Sequence, residues 1–112
     1  MDTSTATKDR NKEIALTIAQ QMGGTRRLNM FTGADHFIAI DRGLTFRIPG
    51  KNFSKDSINV ITITLTPLDE YTMVFSRLRA LKMTEVVRYE GVYCDQLIPL
   101  FEEATGLYLS FK

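Results

Sequence analysis

The first apolar repeat in the chain has the period of a helix. In residues 7–22, Ile14, Ile18 and Met22 recur every four positions, which places them on one face of a helix. Leu16 falls off this stripe, which suggests that more than one side of the helix is covered. Two consecutive glycines follow, and glycine readily takes the left-handed conformation that closes a helix. The pattern therefore predicts an N-terminal helix over residues 7–22, with residues 1–6 frayed.

The middle of the chain changes to a period of two, which is typical of half-buried strands. The clearest example is residues 58–66, where Ile61, Ile63 and Leu65 alternate with β-branched residues on the other face. Short turns rich in glycine, proline and aspartate separate this run from its neighbours. Strands are predicted at residues 28–32, 36–41, 44–48, 58–66, 71–78 and 82–89.

A second helix is predicted over residues 93–105. Pro99 lies inside it and either belongs to the first turn, with Asp95 as the cap, or kinks the helix. After Gly106, apolar residues alternate again over residues 107–111, which predicts a short C-terminal strand. Four residues have the spacing of one apolar helical face: Cys94, Leu97, Ile98 and Phe101.

These elements define the expected fold class. Sequential strands joined by short turns form an antiparallel meander, and such a sheet commonly buries only one face. We therefore expect a single α+β domain over residues 1–112, with an antiparallel meander sheet of five or six strands. An N-terminal and a C-terminal helix flank the sheet on its buried face, and a short strand ends the chain. No internal repeat or low-complexity run is visible.

Composition narrows the class of protein. A hydrophobic fraction of 44% and a charged fraction of 24% are typical of a globular domain. The net charge of +1 argues weakly against a dedicated duplex-binding domain and against a nucleic-acid mimic. One cysteine permits no intrachain disulfide, which suits a reducing compartment. Neither a secretory signal nor an apolar run of about 20 residues is present, so we place the protein in the cytoplasm, away from membranes.

The chain offers little chemistry. With one histidine and one cysteine, it cannot build a Cys/His metal site by itself. Cys94 is expected to act as a small hydrophobic residue on a helix, and His36 to lie at or near the surface. Adjacent carboxylates at 102–103 do not share a face of the predicted helix, and those at 69–70 lie in a turn, so neither pair is placed for catalysis. We therefore predict no catalytic residue, no metal, no cofactor and no enzymatic activity.

Arginines form the best surface candidate. Arginine beside exposed aromatic rings can hold phosphates and stack bases, so an open sheet face with such residues would bind single-stranded nucleic acid or a partner protein. The aromatic rings serve equally well in a core or an interface, and the low net charge favours that interpretation. The candidate binding residues are Arg26, Arg27, Arg42, Arg47, Arg77, Arg79, Tyr71 and Tyr89.

The order and spacing of several short sequence segments resemble those in a family of small uncharacterised proteins encoded by bacteriophages and other mobile genetic elements. The family usually has lysine where this chain has Asp35, and alanine where it has Cys94. The resemblance implies a phage or mobile-element setting and no mechanism. These segments are Gln21-Met22-Gly23-Gly24, Phe31-Thr32-Gly33-Ala34 with Phe37, Thr45-Phe46-Arg47-Ile48-Pro49, Ile58-Asn59, Ile63-Thr64-Leu65, Asp69-Glu70-Tyr71, Gly91-Val92-Tyr93 with Asp95, and Thr105-Gly106-Leu107-Tyr108.

Three functional hypotheses follow. The leading one is a non-enzymatic interaction protein that binds a protein partner or forms a homo-oligomer, because apolar and aromatic side chains are ample and catalytic motifs are not. The alternative is a nucleic-acid-binding accessory protein that uses the arginine clusters. The third is an enzyme whose site carries no recognisable motif.

Overall fold

The computed structural model describes residues 3–50 and 54–109, with side chains from residue 9 onward in the first helix. These residues form three α-helices, two short 3-10 turns and one sheet. The 3-10 turns are Lys55–Ser57 and Cys94–Gln96. The helices and strands are α1 (Thr3–Gln21), α2 (Thr25–Thr32), β1 (Asp35–Ile40), β2 (Gly43–Arg47), β3 (Val60–Leu65), β4 (Tyr71–Arg79), β5 (Lys82–Val92) and α3 (Leu97–Thr105).

The sheet is an antiparallel meander, as the sequence predicted. Its five strands lie in the order β1-β2-β3-β4-β5, so each strand pairs with its neighbours in the chain. Strands β1 and β5 are therefore the two edges. The fold is α+β, with helices at its N-terminal and C-terminal sides.

One face of the sheet carries the core, and we call it the covered face. Phe46, Ile61 and Phe75 lie side by side on β2, β3 and β4 and are fully buried. The Phe101 ring of α3 lies 6.3 Å from the rings of both Phe46 and Phe75. The apolar stripe of α1, which includes Ile18, is buried in the same core cluster. Both flanking helices thus pack on one face, as expected, and the opposite face is the open face.

The predicted strand over residues 28–32 is wrong, because this segment belongs to α2. Leu28 and Thr32 are its buried residues, and their spacing of four positions is that of one helical face. Gly24 and Gly33 bound the helix with positive φ angles of 95° and 74°. In so short a segment, a period of two and a helical period fit the apolar residues equally well, so the pattern could not separate strand from helix.

The starts of the two flanking helices also differ from the predictions. Helix α1 begins at Thr3, so residues 3–6 belong to it, while residues 1 and 2 lie outside the described residues. Helix α3 begins at Leu97, after the second 3-10 turn, and Pro99 lies in its first turn. There a missing N–H breaks no helical hydrogen bond, so the first of the two alternatives for Pro99 holds, although without an Asp95 cap.

The predicted short C-terminal strand is not formed at residues 107–109. Leu107–Leu109 are irregular and pair with no strand, and the rest of the predicted strand lies outside the described residues. Leu109 is nonetheless buried, and its N–H donates to Glu102 Oε2 at 3.0 Å. A side chain of α3, rather than a neighbouring strand, accepts this backbone donor.

Candidate functional site

The predicted binding arginines are not brought together on one surface. Arg26 is exposed on α2, beside Arg27. Arg27 donates its Nε hydrogen to the Leu109 carbonyl at 2.7 Å, and its guanidinium lies 5.9 Å from the centre of the Phe31 ring. Arg27 therefore fastens α2 to the C-terminal segment.

The two arginines of the β1–β2 hairpin lie at opposite ends of β2. Arg42, in the turn, donates from Nε to the Leu65 carbonyl at 3.0 Å. Arg47 ends β2, pairs in register with Val60 and is exposed on the open face. Arg42 stabilises the turn end of the sheet, whereas only Arg47 is free to meet a ligand there.

The proposed aromatic surface on the open face does not exist, because both tyrosines lie on the covered face. Tyr71 is 6% exposed, and its hydroxyl donates to Gln21 Oε1 of α1 at 2.8 Å. Burial raises the pKa of the Tyr71 hydroxyl, and the hydrogen bond to Gln21 partly offsets that rise. Tyr89 meets Phe75 edge to face at 6.0 Å, and burial followed by the Glu103 carboxylate raises its pKa. Both rings belong to the core side of the sheet.

Two of the candidate arginines do share a site. Arg77 and Arg79 of β4 line a polar cleft of about 300 Å³ together with Ser57 and Asn59, and we call it the arginine cleft. Arg77 donates to the main-chain carbonyl of Asp56 at 3.0 Å. No carboxylate lines the cleft, and among the described residues neither arginine is in an ion pair.

The walls of the arginine cleft are held by backbone contacts. The Asn59 side chain donates to the Leu78 carbonyl at 2.9 Å and accepts the Leu78 N–H at 2.7 Å, which fixes the strand between the two arginines. Asp56 and Ser57 both have positive φ, 54° and 55°, a conformation that costs free energy for residues other than glycine. The loop is thus held in a specific shape opposite β4.

A second concave surface lies between α1 and the edge strand β1. It is an apolar groove of about 240 Å³, lined in part by Leu16, Phe37 and Ala39. Leu16 is 63% exposed, and Ala39 is exposed on the strand itself. On the other face of β1, Ile38 is 55% exposed. We call residues 37–40, which carry no charged side chain, the β1 edge.

The opposite edge is built differently. Strand β5 carries Lys82, Glu85, Arg88 and Glu90 along its length. Arg88 donates to Glu85 Oε1 at 2.8 Å and lies 3.7 Å from Glu90 Oε1. The pairing of β5 with β4 also shifts register at two places. Charged side chains and irregular pairing are the features by which natural sheets prevent edge-to-edge contact.

His36 and Cys94 do not form a catalytic pair. His36 is exposed on β1, with Nδ1 2.7 Å from Asp35 Oδ1, as the prediction of a surface position implied. Cys94 follows β5, so roughly 19 Å of sheet, four strand spacings, separates the two edges. The prediction that Cys94 lies on the apolar face of a helix is wrong, because it is exposed in the 3-10 turn before α3. Helix α3 begins only at Leu97, so Cys94 is not part of the helix whose buried face Leu97 and Phe101 share.

Sequence reasoning missed the cleft residues Ser57 and Asn59 and the groove residue Ala39. No sequence pattern marks Ser57 and Asn59, because they come from the loop before β3 and approach β4 only in the folded chain. For the groove, the signal was Leu16, which lies off the buried stripe of α1 and proves to be exposed rather than covered.

No protein-family model matches this chain, and neither a curated protein nor a solved structure matches it. Within residues 3–50 and 54–109, no three His, Cys, Asp or Glu side chains cluster as a metal site would require. None of the helices among the described residues combines the length and apolar character needed to cross a membrane.

Proposed function

We propose that the protein is a non-enzymatic interaction module that pairs with a second copy of itself through the β1 edge. The observation that carries this proposal is an edge strand without charge along residues 37–40 that exposes apolar side chains on both faces. Every second residue of an edge strand also points its N–H and C=O groups away from the sheet. An added strand satisfies those groups while its side chains cover Ile38 and the groove beside Leu16.

A second copy supplies a suitable strand. In an antiparallel self-pair centred on Ala39, Ile38 faces Ile40 of the other copy, and no charge becomes buried in the shared row. Asp41 faces Phe37 in this register, so the acidic residues at the two ends of the strand do not oppose each other. Cross-strand apolar pairs stabilise a sheet, whereas opposed like charges destabilise it. A two-fold axis through Ala39 then closes the assembly as a dimer with one continuous sheet.

Light scattering coupled to size exclusion, over a range of protein concentrations, tests the proposal. We expect the wild-type chain to change from monomer to dimer as concentration rises, and Ile38→Lys to weaken the dimer at least about tenfold in Kd. Met83→Lys is the matched control, because Met83 lies on the β5 edge and is 54% exposed against 55% for Ile38. Circular dichroism verifies that both variants fold.

A strict monomer at every concentration would overturn the proposal. So would equal effects of the two lysine substitutions, because the association would then not depend on the β1 edge. A dimer that survives Ile38→Lys unchanged would likewise assign the contact to another surface.

We further propose a cytoplasmic, phage or mobile-element setting for this module. The short sequence segments that resemble the family encoded by bacteriophages and mobile elements support this setting. The single free thiol, at Cys94, suits a reducing compartment. A module that acts only by pairing needs no catalytic residue, cofactor or metal.

A further inference from the structure

We propose that the arginine cleft binds a phosphate group. The cleft joins two arginines of one strand, Arg77 and Arg79, to the Ser57 hydroxyl and the Asn59 side chain around one space of about 300 Å³. That volume is large enough for a phosphate with part of the molecule that bears it. The cleft lies beside the start of β3 and the end of β4 and shares no residue with the β1 edge.

The arginines of the cleft have hydrogen-bonding capacity to spare. A guanidinium carries five N–H donors, and Arg77 uses one of them on the Asp56 carbonyl, which orients the group without neutralising it. Arg79 is exposed, and Lys82, its cross-strand partner on β5, adds a third positive charge. Arg88 offers the contrast, because two glutamates of β5 already surround it.

Phosphate is the anion that fits this donor set best. Arginine pairs donate in a planar fork to two oxygens of one phosphate, and a hydroxyl and an amide can donate to the others. The contacts of Asn59 with the Leu78 main chain hold β4 in place before a ligand arrives, so both arginines project from a fixed stretch of backbone. The left-handed backbone at Asp56 and Ser57 is consistent with a loop shaped for a ligand.

Two sources can supply the phosphate, namely a small phosphorylated molecule or the backbone of a single-stranded nucleic acid. We would titrate the isotope-labelled protein with inorganic phosphate, and separately with a single-stranded oligonucleotide, at constant ionic strength. The readout is the shift of backbone amide resonances at Ser57, Asn59, Arg77 and Arg79. An equivalent chloride titration measures the effect of salt alone.

Arg79→Gln is the test variant, because Arg79 is exposed and its side chain makes no hydrogen bond or ion pair with another residue that the structure describes. We expect it to weaken phosphate binding by about tenfold, as loss of one charge-assisted contact implies. Arg26→Gln is the matched control, since it removes the same charge from an exposed position on α2 and should leave the affinity unchanged. Arg77→Gln is the poorer variant, because it also breaks the contact with Asp56.

Each outcome decides the proposal. Saturable shifts at the cleft with inorganic phosphate, weakened by Arg79→Gln, support a small phosphorylated ligand. Shifts that appear only with the oligonucleotide, and that Arg79→Gln also weakens, support a phosphodiester. The absence of shifts with both probes, shifts that chloride reproduces, or an equal loss in Arg26→Gln would overturn it.

Discussion

The two edges of the sheet differ in almost every property that governs strand addition. Strand β1 has six residues, and residues 37–40 within it carry no charge. Strand β5 has eleven residues, and four of them are charged. Ion pairs between Arg88 and its neighbouring glutamates, Glu85 and Glu90, lie along β5 on the open face of the sheet. One edge is therefore protected against pairing and the other is not.

The β1 edge is the less protected of the two, and the pairing that we propose accounts for this difference. Unprotected apolar edges expose a protein to aggregation, so natural sheets generally block them with charge, proline or irregular pairing. The irregularity in β1 lies between Asp35 and Ile38, before the regular pairs that run from Ile38 to Ile40. It therefore leaves the apolar end of the strand available. An edge left open on one side only is the arrangement that closes as a pair.

The largest effect we predict separates the centre of the sheet from its β1 side. Phe75→Ala should lower the free energy of unfolding by about 3–5 kcal/mol, because Phe75 is fully buried between Tyr89 and Phe101. Phe37→Ala should cost only about 1–2 kcal/mol, because Phe37 is partly buried at the groove and contacts Phe46 from one side. Urea denaturation at low protein concentration measures both.

Equal costs at these two positions would break the comparison. The β1 side would then be as much a part of the core as the centre, and its apolar residues would be explained by folding alone. A further loss of dimer in Phe37→Ala at high concentration would sharpen the comparison instead.

The second prediction removes the protection of β5. Replacing Glu85 and Arg88 together with threonine deletes one charge of each sign, so the net charge stays the same while the middle of the edge, residues 83–89, carries no charge. With two open edges, association no longer closes, so we expect species larger than a dimer that grow with concentration. Sedimentation velocity measures this distribution.

The control is Asp9→Ala with Arg10→Ala on α1, which removes the same charges from exposed positions of a helix. Growth in this control variant would show that loss of charge alone drives association. A strictly dimeric Glu85→Thr/Arg88→Thr chain would show that the two register shifts of β5 suffice to protect it.

The sequence was sufficient for the sheet and insufficient for the surfaces. Strong alternation, as in the run that contains Ile61 and Ile63, predicted strands and the face that they bury, because burial of one face forces the period of two. The same rule failed at α2, where the eight residues between Gly24 and Gly33 are too few to distinguish the two periods. Gly33 correctly marked the end of this segment, but neither its start nor the type of element was predicted.

The candidate sites depend on contacts that no local pattern records. Tyr71 has the alternation of a half-buried strand, and only the packing of α1 shows that its hydroxyl meets Gln21. Arg77 and Arg79 were named from their spacing, whereas their partners Ser57 and Asn59 come from a loop some twenty residues earlier. The strand order of the folded sheet determines which strands are its edges. The difference between the β1 and β5 edges therefore could not be predicted from the sequence.

The smallest effect we predict uses pH to distinguish the two sides of the sheet. The raised pKa values of Tyr71 and Tyr89 belong to β4 and β5, whereas β1 and β2 contain no tyrosine. A raised pKa means that the folded state holds the proton more tightly than the unfolded state does. The resulting stability is complete below the ordinary tyrosine pKa of about 10 and is lost as pH rises through the folded value.

Tyr71→Phe removes this dependence at one position together with the hydrogen bond to Gln21. At neutral pH we expect the variant to be less stable than wild type by about 1 kcal/mol, which is the net value of such a bond. Above pH 10 the gap in stability between the two chains should narrow. Only the wild-type chain has a Tyr71 hydroxyl, which must either stay protonated or break its contact with α1. Urea midpoints of both chains across this range measure the gap. A constant gap would mean that Tyr71 ionises as easily in the fold as outside it, and the alkaline sensitivity assigned to the β4–β5 side would then have no basis in its packing.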